Sequence, residues 1–494
     1  MGRSSGRRSG ALAIGLSPQT VVAGGIFSGA GSIFGVAALA FALGCGTASA
    51  QSFADALASA YNTNPTLNSA RAQARATDEG VPQALSGYRP TISGSISGSA
   101  NGNYNTSYNQ GYAGTNLAMN GSNYPISVGL TLTQPLFRGF QTQNSVRQAE
   151  AAVLAQREQL RDTEQAVLNN AASAYMNVIQ QQALVELQQS NLEFLNQQLK
   201  SSEERFKVGE GTNTDVAQSQ ASAAQAQANV NAAKANLNAA QATFRQIIGI
   251  QPKKLSSKQI GLTLRPKSLS AALTFAQSHH PAIQAAVNNV DVASFNVKVL
   301  EGQVLPQVNL QAGVNRAYNF AYGNTTQSTR QQDSAQIGIN VNIPIYTAGM
   351  VSSRVRQAKE QLGYSQVQVD LYRDQVRQSV VAAWGNLEAA EASIFAARTA
   401  VVANQLAVNG VVEEQKVGQA TTLDVLQQQS NLVQARTTLV QAEFQQAVAF
   451  YTLLAAVGVL DAESLHLPVS VYKPAQHYDA VRGKWAGMTT PDGR

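Results

Sequence analysis

Two hydrophobic periods alternate along this chain, and the switches between them mark its elements. Ile126, Val128, Leu130 and Leu132 alternate with Ser127, Gly129, Thr131 and Thr133. Val308, Leu310, Ala312 and Val314 alternate with Asn309, Gln311, Gly313 and Asn315, and Ile337, Ile339, Val341 and Ile343 with Gln336, Gly338, Asn340 and Asn342. A period of two predicts strands with one apolar and one polar face. Thr91 to Ser99 is a weaker fourth, with Ile92 and Ile96 among Ser and Gly. The expected strand pairs lie in 91–134 and 307–343, each strand about nine to eleven residues long, the length a membrane-spanning strand needs. Ala100 to Tyr124 and Tyr318 to Ser334, rich in Gly, Asn, Tyr, Thr and Ser, read as surface loops between paired strands.

The remaining pattern is helical. From Gln141 to Lys207 there is neither proline nor glycine, and apolar residues such as Val153, Leu160, Val167, Leu184, Leu195 and Leu199 recur at helical spacing. A helix over 141–207 reaches roughly 100 Å at 1.5 Å per residue. Residues 351–416 repeat the design, interrupted only by Gly363, Gly385 and Gly410. Shorter helices are predicted from Phe53 to about Gly87, over 213–248, from Ser270 to Val304 and over 422–457. Two short helices laid end to end match one long one. Each strand pair turns into its long helix through an elbow, with Pro135 and Gly139 in the first and Pro344 and Gly349 in the second. There proline ends the ladder and glycine frees the turn. Phe137, Phe140 and Tyr346 stand where an aromatic girdle meets lipid headgroups.

The chain is written twice. Val146-Arg147-Gln148-Ala149 recurs as Val355-Arg356-Gln357-Ala358, and Lys207-Val208-Gly209 as Lys416-Val417-Gly418. Asn64-Pro65 likewise answers His280-Pro281. The expected division is a first repeat over 51–268 and a second over 269–460. The segment 461–494, with Pro468, Pro474 and Trp485, reads as an extended wrap about the waist of the bundle followed by a flexible tail. Residues 1–50 carry Arg3, Arg7 and Arg8, an apolar stretch and Ala48-Ser49-Ala50, the plan of a secretory signal peptide. Cys45, in a poor lipobox, offers lipid attachment as a rival to cleavage after Ala50.

Composition agrees with long helices more than with one round core, because only 13% of the chain is charged and 6% aromatic. Cleavage after Ala50 removes the single cysteine and three arginines, lowering the net charge from +6 to +3. The basic residues are scattered, which argues against nucleic acid. No catalytic constellation, phosphate loop or nucleophile elbow has convincing spacing, and no cofactor is expected. His279-His280-Pro281 reads as a helix start and not as a metal site.

Four strands do not close a barrel, and an open sheet edge is not tolerated in lipid, so the chain must share a barrel with two, three or four copies in all. The order of elements, together with Gln134-Pro135-Leu136-Phe137, Arg205-Phe206-Lys207-Val208-Gly209, Ile343-Pro344-Ile345-Tyr346 and Leu423-Asp424-Val425-Leu426, resembles the TolC-like outer-membrane efflux protein family over essentially the whole mature chain. The resemblance implies an α+β fold: an outer-membrane β-barrel shared by a homotrimer, four strands per chain and twelve in total, continuing into a long periplasmic α-helical coiled-coil barrel. It also implies a passive exit duct for efflux or type I secretion. Its expected partners are outer-membrane lipid, a periplasmic adaptor (membrane fusion) protein and an inner-membrane RND, ABC or MFS transporter.

Two hairpin tips carry the expected site. Val208, Gly209, Thr212 and Asp215 form the first, and Val417, Gly418, Thr421 and Asp424 the second. Glycine stops one helix and Thr-x-x-Asp caps the next. The resemblance implies adaptor docking at these tips and a pore-facing acid at Asp424. Gln427 stands where a relative can carry a second acid, and Gln415 and Ala420 where a Tyr and an Arg can latch the closed state. These departures predict weaker cation selectivity and easier opening. An envelope spacer built of coiled-coil hairpins is the competing reading, and it leaves strands of lipid-spanning length unexplained.

Overall fold

The computed structural model describes residues 51–107, 117–323 and 327–493. The expected signal peptide over residues 1–50, with Cys45, lies outside the described residues. The strands are β1 (Thr91–Gly98), β2 (Asn101–Ser107), β3 (Leu117–Arg138), β4 (Gln307–Gly323) and β5 (Gln327–Asn342). They form one antiparallel sheet in the order β1-β3-β4-β5, with β2 pairing along the other end of β3. Ile92 stands opposite Leu132, Leu132 opposite Ala312 and Ala312 opposite Ile337. Residues paired across a ladder share a face. One face therefore carries Ile92, Ile96, Val128, Leu130, Val314 and Ile337, all exposed in the single chain. The other carries Ser93, Ser95, Thr131, Gln311, Gln336 and Asn340. Only one ion pair interrupts the described apolar face, where Arg316 meets Asp333 across the ladder through bonds of 2.7 and 2.9 Å.

Two readings of the sheet need correction. Strands β3, β4 and β5 run for 22, 17 and 16 residues, longer than the expected nine to eleven. Much of the two presumed loops is consequently strand, because ladder hydrogen bonds belong to the backbone and admit Asn, Tyr, Thr and Gly. Nor does Pro135 end its ladder. β3 continues to Arg138 through an irregularity between Pro135 and Phe137, where a residue without an N–H does no harm. In the second half β5 stops at Asn342, before Pro344.

The helices are α1 (Phe53–Thr63), α2 (Pro65–Asp78), α3 (Gly80–Leu85), α4 (Gln141–Lys207), α5 (Asn213–Ile248), α6 (Leu269–His279), α7 (Pro281–Glu301), α8 (Met350–Lys416), α9 (Thr422–Val457) and α10 (Pro474–Arg482). Prolines break the expected first and third helices, at Asn64-Pro65 and His280-Pro281. Both breaks are clean caps: Asn64 Oδ1 accepts from the Thr66 amide at 2.9 Å and His280 Nδ1 from the Ala282 amide at 3.2 Å. Next to the sheet, α2, α4, α7 and α8 pack side by side, and toward the tips α5, α4, α9 and α8 do the same. Sheet and helices thus keep one lateral order.

α5 meets the α1–α2 break head on. Ser59 and Thr63 hydroxyls donate to the Ile248 carbonyl at 2.8 and 3.1 Å, and Asn64 Nδ2 to that of Ile247 at 2.9 Å. Gly249, at φ +85°, lets the chain leave there, since a Cβ would strike Thr63. Gly458, at φ +92°, ends α9 against His280 in the same way.

The core lies at this level. Phe53 packs edge-on to Tyr175 at 4.9 Å between ring centroids and lies 5.0 Å from Tyr451. Around them Tyr61, Phe244, Phe450 and Leu387 are fully buried. Tyr175 accepts the Ser256 amide at 2.9 Å and Tyr451 donates to the Ile260 carbonyl at 2.9 Å, so these two phenols pin the connector between repeats.

The C-terminal segment, expected as an extended wrap and flexible tail, runs over 461–473 without helix or strand and then forms α10. The Ala462 amide donates to half-buried Glu164 at 2.8 Å, the Tyr472 amide to Tyr61 at 2.9 Å, and α10 docks on α2. His477 Nδ1 lies 2.9 Å from Asp78 Oδ2 in a nearly dry contact. Ala462, Leu465 and Leu467 are buried in the core, and the polar anchors fix the segment alongside them.

Candidate functional site

The tips end α4 and α8 in one way. Gly209 and Gly418 take φ +82° and +81°, and the Glu210 and Gln419 amides return to the Arg205 and Glu414 carbonyls at 2.9 Å each. This left-handed stop leaves Val208 and Val417 projecting, 72% and 70% exposed.

Each following helix opens with a capping box. Thr212 Oγ1 donates to Asp215 Oδ2 at 2.6 Å while the Asp215 amide donates back to Thr212 at 3.2 Å. Thr421 and Asp424 repeat these bonds at 2.7 and 3.2 Å. The threonine hydroxyl, seconded by its amide, holds each carboxyl below the ordinary aspartate range. Asp424 is therefore charged at neutral pH, and one of its oxygens is engaged in its own cap. Gln427 follows on the same exposed side of α9 and donates to Asn431 at 3.2 Å.

The structure brings the two tips together through Gln415, named above only for its place at the latch, and through Gln198 and Thr422, which the pattern did not single out. Gln415 is buried; its Nε2 donates to Thr422 Oγ1 at 3.2 Å and its Oε1 accepts from Gln198 Nε2 at 3.3 Å. Thr422 lies near enough to Asp215 to help hold its carboxyl low, and Arg205 approaches the Gln415 carbonyl at 3.5 Å. One network thus joins α4, α5, α8 and α9. Glutamine is so frequent on these helices that nothing in sequence marks Gln198 or Gln415 as inward. Ala420 has no side-chain polar atom to contribute.

Above the tips, α4, α5 and α9 enclose a cleft of about 820 Å³ lined by Gln188, Asn191, Gln225, Asn229, Gln429 and Gln434 among others. Its lining holds no acid, base or thiol, so it offers solvation and no acid–base chemistry. Among the described residues no cluster of His, Cys, Asp and Glu is placed to hold a metal ion, and no helix is long and apolar enough to cross a membrane.

At the elbows both turns spend two consecutive residues in the left-handed region, Gly139-Phe140 at φ +56° and +60° and Ala348-Gly349 at +50° and +78°. Gly139 is buried against the end of α7, whereas Ile345 and Tyr346 beside the second elbow are 94% and 87% exposed. Pro135 lies inside β3, and Pro344 lies between β5 and α8.

The family model described as outer membrane efflux protein matches this chain twice, over residues 56–250 and 273–459. The outer membrane efflux protein BepC of Brucella suis is 45% identical over 441 residues, 89% of this chain and 92% of that protein. The outer membrane protein TolC of Escherichia coli is 26% identical over 69% of this chain and 70% of its own. Among solved structures, the CmeC outer membrane channel of Campylobacter jejuni superposes with a TM-score of 0.69 over 87% of this chain and 89% of its own, at 16% identity.

Proposed function

This chain belongs to the outer membrane efflux protein family, and from that premise we propose that three copies form a passive exit duct through the outer membrane and periplasm. Each chain supplies four strand columns to a twelve-stranded barrel, and its helices continue the wall as a periplasmic coiled-coil barrel. The observation that carries this reading is the sheet: one apolar face, one polar face, and two outer edges, β1 with β2 and β5, left without a partner in the single chain. Lipid tolerates neither edge, and pairing with neighbouring copies satisfies both.

The tips are the periplasmic entrance. Val208, Gly209, Thr212, Asp215, Val417, Gly418 and Thr421 receive the adaptor, which links the duct to an RND, ABC or MFS transporter in the inner membrane. Energy comes from that transporter, for either efflux or type I secretion. Asp424 faces the bore in a ring of three acids with neutral Gln427 one turn on, which favours cations weakly. The bonds of Gln415 hold the entrance closed.

Single-channel recording in a planar bilayer tests this. Wild type is expected to give a small cation-selective conductance, and Asp424→Ala to lose selectivity. Unchanged selectivity in Asp424→Ala removes that residue's role. Silence from protein known to be inserted overturns the duct itself in favour of an envelope spacer.

A further inference from the structure

Resting on the outer-membrane reading above, we propose that the segment following α10 is a membrane-interface contact, in which Trp485 seats in the headgroup layer of the periplasmic leaflet and Lys484 meets lipid phosphate. The segment is pinned at both ends of a short path. Behind it, His477 and Asp78 dock α10 on α2, and Arg482 reaches Glu150 at 3.0 Å. Ahead of it, the Arg89 guanidinium lies 4.6 Å from the centre of the Trp485 ring and donates to the Lys484 carbonyl at 2.8 Å. Arg89 stands two residues before Thr91, where β1 begins. Trp485 is thereby held at the first rungs of the sheet.

Neighbouring side chains at this level suit the same surroundings. Tyr88, Leu136 and Phe140, each more than half exposed, border a small recess together with Phe137. Trp485 is 71% exposed although it is fixed by a cation over one face, and Met488 beyond it is completely exposed. An indole combines a large apolar body with one N–H donor, and tryptophan concentrates where bilayer meets water. Arg89 and Lys484 bring positive charge to the same place, complementary to anionic headgroups, while Arg482 is paired with Glu150 and the Lys484 ammonium turns back to the Thr489 carbonyl.

The second tryptophan supplies a control. Trp384 lies in α8 with Nε1 on Glu388 at 2.8 Å, about 50 Å along the helix from its start by the α-helical rise. The experiment uses the full chain reconstituted in vesicles of phosphatidylethanolamine and phosphatidylglycerol, with or without bromine on the acyl chains. Trp384→Phe reports Trp485, and the triple variant Trp384→Phe, Trp485→Phe, Tyr346→Trp reports the second elbow. We expect brominated lipid to quench and blue-shifted emission to mark both reporters. Quenching at the elbow without quenching at Trp485 overturns the proposal and leaves the outer-membrane reading standing, whereas no quenching at either overturns that reading as well. Should Trp384→Phe fail to insert, the comparison of wild type with Trp485→Phe decides. Equal quenched fractions in the two count against the contact, and a smaller quenched fraction in Trp485→Phe supports it.

Discussion

Gly139 and Gly302 approach so closely that a Cβ on either would collide with the carbonyl oxygen of the other. The first elbow thereby docks on the end of α7, and Gln141 Nε2 closes the contact by donating to the Gly302 carbonyl at 3.1 Å. Gly302 itself has φ −63°, a conformation open to any residue, so space and not backbone freedom demands glycine there.

Gly302→Ala should therefore destabilise the fold by ~1–3 kcal/mol, the usual cost of overpacking against groups that cannot swing away. The midpoint of thermal unfolding in detergent reads this directly. An unchanged midpoint would mean that α7 and the elbow separate easily.

Thr212→Ala removes one capping hydroxyl and should weaken the start of α5 by about 1 kcal/mol, roughly fivefold faster amide exchange near residue 215. The pH dependence has a definite sign. Asp215 and Asp424 have folded pKa values below the ordinary one, so their contribution is complete above about pH 4 and disappears as pH falls through the folded values. Exchange at both tips should show no change in this contribution between pH 7 and pH 5 and increase only in more acidic solution.

Gln415→Ala cuts the bonds to Thr422 and Gln198 together. We expect a larger single-channel conductance or longer open times, with the unfolding midpoint nearly intact because only the tip is affected. Closed-state behaviour identical to wild type would assign the latch elsewhere.

His477→Ala leaves the Asp78 carboxylate buried without its hydrogen bond. Burial already pushes that carboxyl above its ordinary value, opposed first by the His477 hydrogen bond and then by the charges of His477, Arg157 and Arg75. The variant should lose ~1–3 kcal/mol at pH 7.5. A carboxyl with a raised folded value costs stability as pH rises through it, so the deficit should shrink toward pH 5, where Asp78 is more easily protonated. Thermal midpoints at the two pH values measure this.

The helices were legible because absence is a strong signal. A 67-residue run without proline or glycine has few alternatives, and α4, α5 and α9 begin and end at the residues where caps and glycines stand. The sheet was half legible: alternation located its faces at Val128 and Ile339, yet its extent was hidden, since Asn, Tyr and Gly suit a solvated strand as well as a loop. At the tips the capping threonines were readable and the Gln415 network was not, because glutamine looks alike whether it meets water or Gln198. Trp485 suggested only a tail; its stacking on Arg89, nearly four hundred residues away in sequence, belongs to the fold alone.

The end-to-end meetings at Gly249 and Gly458 divide two of the helical columns and leave two whole. α4 and α8 are single staves from sheet to tip, whereas α5 below α2 and α9 below α7 are jointed, each joint held by a few side-chain bonds or by close packing against a proline turn. Stiff and articulated staves alternate across the protomer. In the proposed duct a push at the tips would meet a joint at mid-height in two staves and none in the other two, so widening one end need not disturb the sheet at the other.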